Sequence, residues 1–189
     1  MIRILTRKIM SSLLVLANLS VFLIASGCAA KASKMVPADF EVVNKHSYTV
    51  SINESTGGKD TKPAWHSQIS NSAFTEALSN ALVESGVFQA VIKGGGVDYK
   101  GGADYILDVT ILDYDQPWHG ANIVISMKTK WELTNAKTLV PVWSNTFKTT
   151  YRAVWWESPF DWQRIEKAHE GSVRTNIKEG IRRLSILSL

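Results

Sequence analysis

The sequence predicts a single α+β domain: an antiparallel-rich mixed sheet with two main helices packed on one face. Three observations lead there. Several segments alternate apolar and polar residues with a period of two, the mark of half-buried strands. Two other segments place apolar residues at steps of three and four, the mark of amphipathic helices. Their order is strand, helix, several strands, helix, which suits helices gathered on one side of a sheet. A chain of 189 residues, 45% of them hydrophobic, is long enough for one such core and does not demand a second.

The chain opens with Arg3, Arg7 and Lys8 and carries no acidic residue before position 28. An apolar run from Leu13 to Ile24 follows, broken only by Asn18 and Ser20. A basic start followed by a short apolar stretch is the make-up of a secretory signal. The run is short for a spanning helix, which needs about 20 apolar residues. It ends in Ala25-Ser26-Gly27-Cys28, and Cys28 is the only cysteine of the chain.

These residues resemble the lipobox of a bacterial lipoprotein precursor. In that family, small residues precede a cysteine whose thiol receives a diacylglyceryl group. Cleavage before the cysteine frees an amine that is usually acylated too, palmitate being a usual chain. The resemblance implies residues 1–27 as a signal peptide with Ala25, Ser26 and Gly27 as its cleavage motif. It also implies a diacylglyceryl and an N-acyl lipid on Cys28. Ala25 stands where leucine is commoner. Ala29, which is not Asp, implies the outer membrane by likeness to Gram-negative lipoproteins, with the domain facing the periplasm. Two or three acyl chains make a stable anchor, where one gives marginal binding.

Residues 28–38, the cysteine and the small, polar, proline-containing stretch after it, read as a tether, and the domain is expected over 39–189. Phe40–Ile52 contains Tyr48-Thr-Val50-Ser-Ile52, a strand alternation. Residues 53–61 are turn chemistry. Ser67 or Ser70 then caps a helix whose apolar positions Ile69, Ala73, Ala77 and Ala81 step by four, beside Phe74, Leu78 and Leu82. Ser85-Gly86 ends it. Val87–Ile92 is a short strand, and the strand-helix-strand unit crosses over right-handed if its strands are parallel. Tyr105–Ile111 is a strong strand. Ala121–Leu133 and Val140–Tyr151 form two more, with a turn at Asn135-Ala-Lys137. From Asp161 to Leu187 the positions Ile165, Ala168, Val173, Ile177, Ile181, Leu184 and Leu187 mark a last helix, interrupted by Gly171 and Gly180.

The phrases Phe74–Leu82, Ser85-Gly86-Val87-Phe88 and Ala103-Asp104-Tyr105-Ile106-Leu107 are similar to a pattern in small envelope lipoproteins. Those proteins have TolB-amino-terminal-like or anticodon-binding-like α/β folds and include curli-secretion, lipopolysaccharide-assembly and transporter-auxiliary lipoproteins. The resemblance covers about half of the mature chain. It implies an accessory or binding subunit of envelope assembly, secretion or transport, with an envelope protein as partner.

Catalytic readings find little footing. Gly94–Gly102 invites a phosphate-loop reading, but it leads into a strand rather than a helix, and Gly58-Lys59-Asp60 lacks the Walker hydroxyl. A flexible connection accounts for it. His46, His66, His119 and His169 share no ligand spacing and read as surface residues. No nucleophile elbow is present. Asp104 and Asp108 share one strand face and, with Asp113 and Asp115, read as a solvated face rather than paired catalytic carboxylates. No enzyme, cofactor or metal site is therefore expected.

Charge is equally quiet. Removing Arg3, Arg7 and Lys8 with the signal from the 21 Lys and Arg leaves 18 against 17 Asp and Glu, a net charge of +1. The apparent basicity belongs to export, and no nucleic-acid partner is expected.

The seven tryptophans are the unusual feature. Trp131 and Trp143 lie inside strands and pack the core or cover the sheet. Trp118 sits in a loop. Trp155, Trp156, Phe160 and Trp162 crowd around Pro159 between the last strand and the last helix. Either these four form a local cluster that pins the helix, or they mark, together with Trp118, a surface for a partner or lipid. Adjacent tryptophans on a strand point to opposite faces, so at least one of Trp155 and Trp156 is expected outside the core. The leading function is an accessory subunit at the membrane, the alternative a periplasmic module binding lipid or glycan, and an enzyme of unknown type comes third for want of a catalytic constellation.

Overall fold

The computed structural model describes residues 30–59, 68–94, 102–115 and 122–189. The signal peptide, Cys28, Ala29, Trp118, His66, His119 and most of the glycine-rich stretch lie outside these residues. In chain order the elements are α1 (Ala32–Met35), β1 (His46–Ile52), α2 (Asn71–Ser85), β2 (Phe88–Lys93), β3 (Tyr105–Asp115), β4 (Ile123–Asn135), β5 (Pro141–Ala153), a 3₁₀ turn (Trp155–Glu157) and α3 (Asp161–Ser185).

The five strands form one mixed sheet in the order β2-β1-β3-β4-β5. β1 runs parallel to both β2 and β3, while β3–β4 and β4–β5 are long antiparallel pairs. The fold is the α+β class expected, with helices packed against the sheet around one core.

Local chemistry explains the boundaries. Ser70, not Ser67, caps α2: its hydroxyl accepts from the amide of Ala73 at 3.1 Å. Gly86 closes the helix in the left-handed region at φ 60°, where a side chain is costly. The turn between β4 and β5 is built on Asn135, whose side-chain oxygen accepts from the amides of Lys137 and Thr138, both at 3.0 Å.

Phe74, Leu78 and Leu82 of α2 and Val173, Ile177, Ile181 and Leu184 of α3 meet Val50, Ile52, Leu107, Met127, Trp131 and Leu133 of the sheet in the main core. A satellite cluster of Ile123, Ile125, Ala153, Ile165 and Ala168 lies under the N-terminal half of α3.

Gly171 and Gly180, expected to interrupt the last helix, do not break it. They are the notches into which the sheet fits. A Cβ on Gly180 would stand 2.3 Å from the Trp131 ring, and one on Gly171 2.4 Å from the Tyr151 ring. Close approach of helix to sheet requires glycine at both positions.

The stretch expected as a free tether joins the fold from Ala30 onward. Met35 is fully buried in the main core and Ala30 nearly so. The segment then follows α3 as a strap. The amide of Lys31 donates to the carboxylate of Glu170 at 3.2 Å, and the Arg174 guanidinium donates to the carbonyl of Lys34 at 2.7 Å. Lys178 pairs with Asp39 at 2.5 Å, and the amide of Asn44 donates to the carbonyl of Ser185 at 3.0 Å. One buried methionine among small and polar residues turned the tether into a packed element.

Candidate functional site

The region that combines unusual exposure with a defined scaffold is the turn between β5 and α3. Trp155 and Trp156 are not on a strand, as the alternation argument assumed. They occupy a single 3₁₀ turn, which frees both rings from opposite-face geometry. Both are exposed, Trp155 at 60% and Trp156 at 68%, as are Phe160 at 57% and Trp162 at 51%. Trp155 and Trp156 meet edge to face with centroids 5.9 Å apart, and Phe160 stacks on Trp162 at 6.4 Å.

Polar bonds that sequence reasoning missed hold this turn. Ser158 is buried, and its hydroxyl bonds the side-chain oxygen of Gln163 and accepts from the amide of Phe160. That arrangement fixes the entry of the chain into α3, whose N-cap, Phe160, makes no side-chain capping bond. Arg164, also buried, donates to the carbonyl of Ser158 at 2.7 Å and pairs with Asp161. Lys167 donates to the carbonyl of Glu157. The satellite cluster lies beneath. A serine shortly before a helix with Gln at N3 is the sequence signal of this bonding.

The other sequence candidates are placed as follows. Trp131 is fully buried, and its indole N–H donates to Thr129 Oγ1 at 3.1 Å beside Asn176. Asn176 in turn bonds Thr129 and Thr149. Trp143 is half-buried against the core. Two of the four histidines are not surface residues, contrary to expectation. His46 is buried and bonds the carbonyl of Leu184 near the end of α3 at 3.0 Å. His169 is fully buried and bonds the hydroxyl of Tyr114, whose phenol burial pushes well above its ordinary range. Both sit where a sheet residue needed a polar partner beneath a helix, which spacing alone does not reveal.

Asp104 accepts from the amide of Thr49 at 2.9 Å, and Asp108 accepts from the side chain of Asn53 at 2.8 Å. They hold the start of β3 to β1 and the loop after it, a structural use that a plain solvated face did not anticipate. Among the described residues no three His, Cys, Asp or Glu side chains are grouped to hold a metal. A cleft of about 190 Å³ lies between the loop at Gly57–Lys59 and the end of β3 at Ile111–Tyr114. It is smaller than the roughly 300–1,000 Å³ of ordinary ligand pockets. No described helix is long and apolar enough to cross a membrane.

No family model and no curated protein matches this sequence. Solved structures do share its fold. Protein XCC0632 from Xanthomonas campestris superposes with a TM-score of 0.60 at 15% identity, over 80% of this chain and 90% of that one. The PelC dodecamer of Paraburkholderia phytofirmans gives 0.50 at 15% identity, over 80% and 96% of the two chains. Hypothetical protein CT253 of Chlamydia trachomatis gives 0.50 at 12% identity, over 74% and 96%. At these identities the likeness is one of fold.

Proposed function

We propose that the chain is a bacterial lipoprotein anchored through Cys28, with its domain facing the periplasm at the outer membrane. It acts as a non-enzymatic accessory or binding subunit in envelope assembly, secretion or transport. The observation that carries this reading is the run Ala25-Ser26-Gly27-Cys28, which puts the sole cysteine at the end of an export segment. Acyl chains hold the domain at one membrane, and the domain's surface recruits an envelope protein.

Growth with radioactive palmitate tests the anchor. Label enters the full chain and is lost in Cys28→Ala; a mutant that keeps its label overturns the assignment. Ala29→Asp then redirects the protein to inner-membrane fractions on a density gradient if Ala29 sets the destination. Crosslinking in intact cells identifies the partner. The exposed aromatic turn favours a second reading, a module that stacks a glycan or lipid on Phe160 and Trp162. Saturable quenching of tryptophan emission by a candidate ligand supports that reading, and a flat titration counts against it.

A further inference from the structure

The geometry points to the aromatic turn as a second membrane contact: Trp155, Trp156, Phe160 and Trp162 rest in the lipid–water interface beside the acyl anchor and orient the domain. This inference rests on the lipoprotein reading of Cys28. It begins with the path of the strap. Lys31, Lys34, Asp39 and Asn44 meet Glu170, Arg174, Lys178 and Ser185 in turn, so strap and helix advance together. Followed backwards, the strap leads toward the N-terminal half of α3. Cys28 is three residues before Lys31 and stays within about 11 Å of it, whatever its conformation. From Glu170 to Asp161 the helix measures about 13 Å. The root of the acyl chains and the aromatic turn are therefore close enough for one membrane surface to meet both.

The turn is chemically suited to lipid. Among the described residues, the exposed large hydrophobics elsewhere are aliphatic, at Val43, Val83, Leu112, Ile186 and the tip of the β4–β5 hairpin. All the described large aromatic residues that are exposed are at this turn. Indole rings combine an apolar body with a polar N–H and concentrate at headgroup level. Charge does not compete: over residues 155–167, Glu157, Asp161 and Glu166 nearly balance Arg164 and Lys167. Contact with zwitterionic lipid through the rings follows, with little dependence on salt. The turn is also pre-organised by Ser158 and Arg164, so insertion orders little that is not already ordered.

Two contacts fix an orientation where a lone anchor leaves the domain free to swing. β5 runs into the aromatic turn at Ala153, and its 13 residues carry the hairpin tip about 40 Å away along the strand. The tip, with Leu139 and Val140 exposed, stands clear of the bilayer and faces the periplasm.

The test uses the full chain purified from cells as the lipidated protein and reconstituted into phosphatidylcholine–phosphatidylethanolamine vesicles. Mass spectrometry of the N-terminal peptide comes first. Without acyl chains on Cys28 the lipoprotein reading fails, and this inference with it. The double variant Trp155→Phe/Trp156→Phe keeps two rings but removes their emission, so its difference from wild type isolates those two fluorophores. That component loses intensity in vesicles of lipids brominated high on the acyl chain, keeps the loss in high salt, and resists aqueous iodide. Quenching by iodide but not by bromolipid overturns the inference and leaves the acylated anchor standing. Protection from both quenchers, the signature of a second copy or other protein on the turn, overturns it as well. A dye on Lys137→Cys, the one free thiol once Cys28 is lipidated, reports water; a lipid signal there overturns the orientation.

Discussion

The two ends of helix α3 use tryptophan in opposite ways. Toward its C-terminal half the helix lies on Trp131, which is fully buried, bonded through its indole N–H and received by the notch at Gly180. Just before its N-terminus, Trp155 and Trp156 stand more than half in solvent. The residue type is the same, so tryptophan alone does not decide its place. Trp131 is inside because the sheet provides a polar partner in Thr129, and because a missing Cβ above it makes room for the ring. At the aromatic turn the polar groups, Ser158, Gln163 and Arg164, bond one another and the backbone, and so hold the rings outward. One end of the helix is built for stability and the other for contact.

The strongest way to break this comparison is to truncate each tryptophan. Trp131→Ala is expected to cost about 3–5 kcal/mol through the cavity it leaves. A domain of ordinary stability, roughly 5–15 kcal/mol, would then be near the edge of folding. Trp155→Ala and Trp156→Ala are expected to stay within about 0.5 kcal/mol of wild type, as exposed substitutions do. Urea unfolding measures both, and an equal loss at the two ends would show the turn to be a stabilising cluster that pins the helix.

Next in size is Met35→Ala, expected to cost about 2–3 kcal/mol, since Met35 is as buried as any core residue. A result near zero would return the strap to the tether that its composition suggests. Gly180→Ala follows at about 1–3 kcal/mol. Helix propensity alone predicts a gain of about 1 kcal/mol from that change, so the sign decides whether the notch matters. Gly171→Ala should lose less, because Tyr151 is only half-buried and its ring has room to yield.

Most of the scaffold was legible in the sequence because it rests on periodicity. Val50, Leu107, Val109 and Trp131 declare strand faces, and Phe74, Leu78, Ile177 and Ile181 declare helix faces, before any contact is known. The sequence-distant bonds were not legible. Met35 gives no local sign that it reaches the core, and His46 and His169 look like surface histidines until Leu184 and Tyr114 are brought to them. The two helix glycines read as interruptions because their reason lies across the interface, in the rings of Trp131 and Tyr151. At the candidate site the aromatic residues were conspicuous, yet their exposure depends on a 3₁₀ turn and on Ser158, whose role shows only after folding.

The finest distinction between the two ends is electrostatic, and its sign differs. Glu179, beside the Gly180 notch, is held well below the usual carboxylate range, to about 2, chiefly by hydrogen bonding from Arg182 and then Arg183. Its folded-state value lies below its unfolded one, so it stabilises the fold above the ordinary glutamate range. That contribution is lost as pH falls toward 2. Glu170, at the strap end, is shifted upward, first by burial and further by Glu166, against the Lys31 amide, Arg174 and Lys34. Its ionisation therefore opposes folding: the wild type loses stability as pH rises through its folded-state value. Glu179→Gln should be less stable than wild type at neutral pH, with the gap closing in acid. Glu170→Gln keeps an oxygen to accept from Lys31 and should be more stable at neutral pH, with that gain also vanishing in acid. Each effect is about 1 kcal/mol or less: solvent screens the partly exposed Glu179, and the Lys31 amide, Arg174 and Lys34 offset the burial of Glu170. Paired urea titrations at neutral and acid pH read the two signs. Shifts of the same sign at both positions would mean that the strap end is as well compensated as the core end, and the electrostatic half of the contrast would fall.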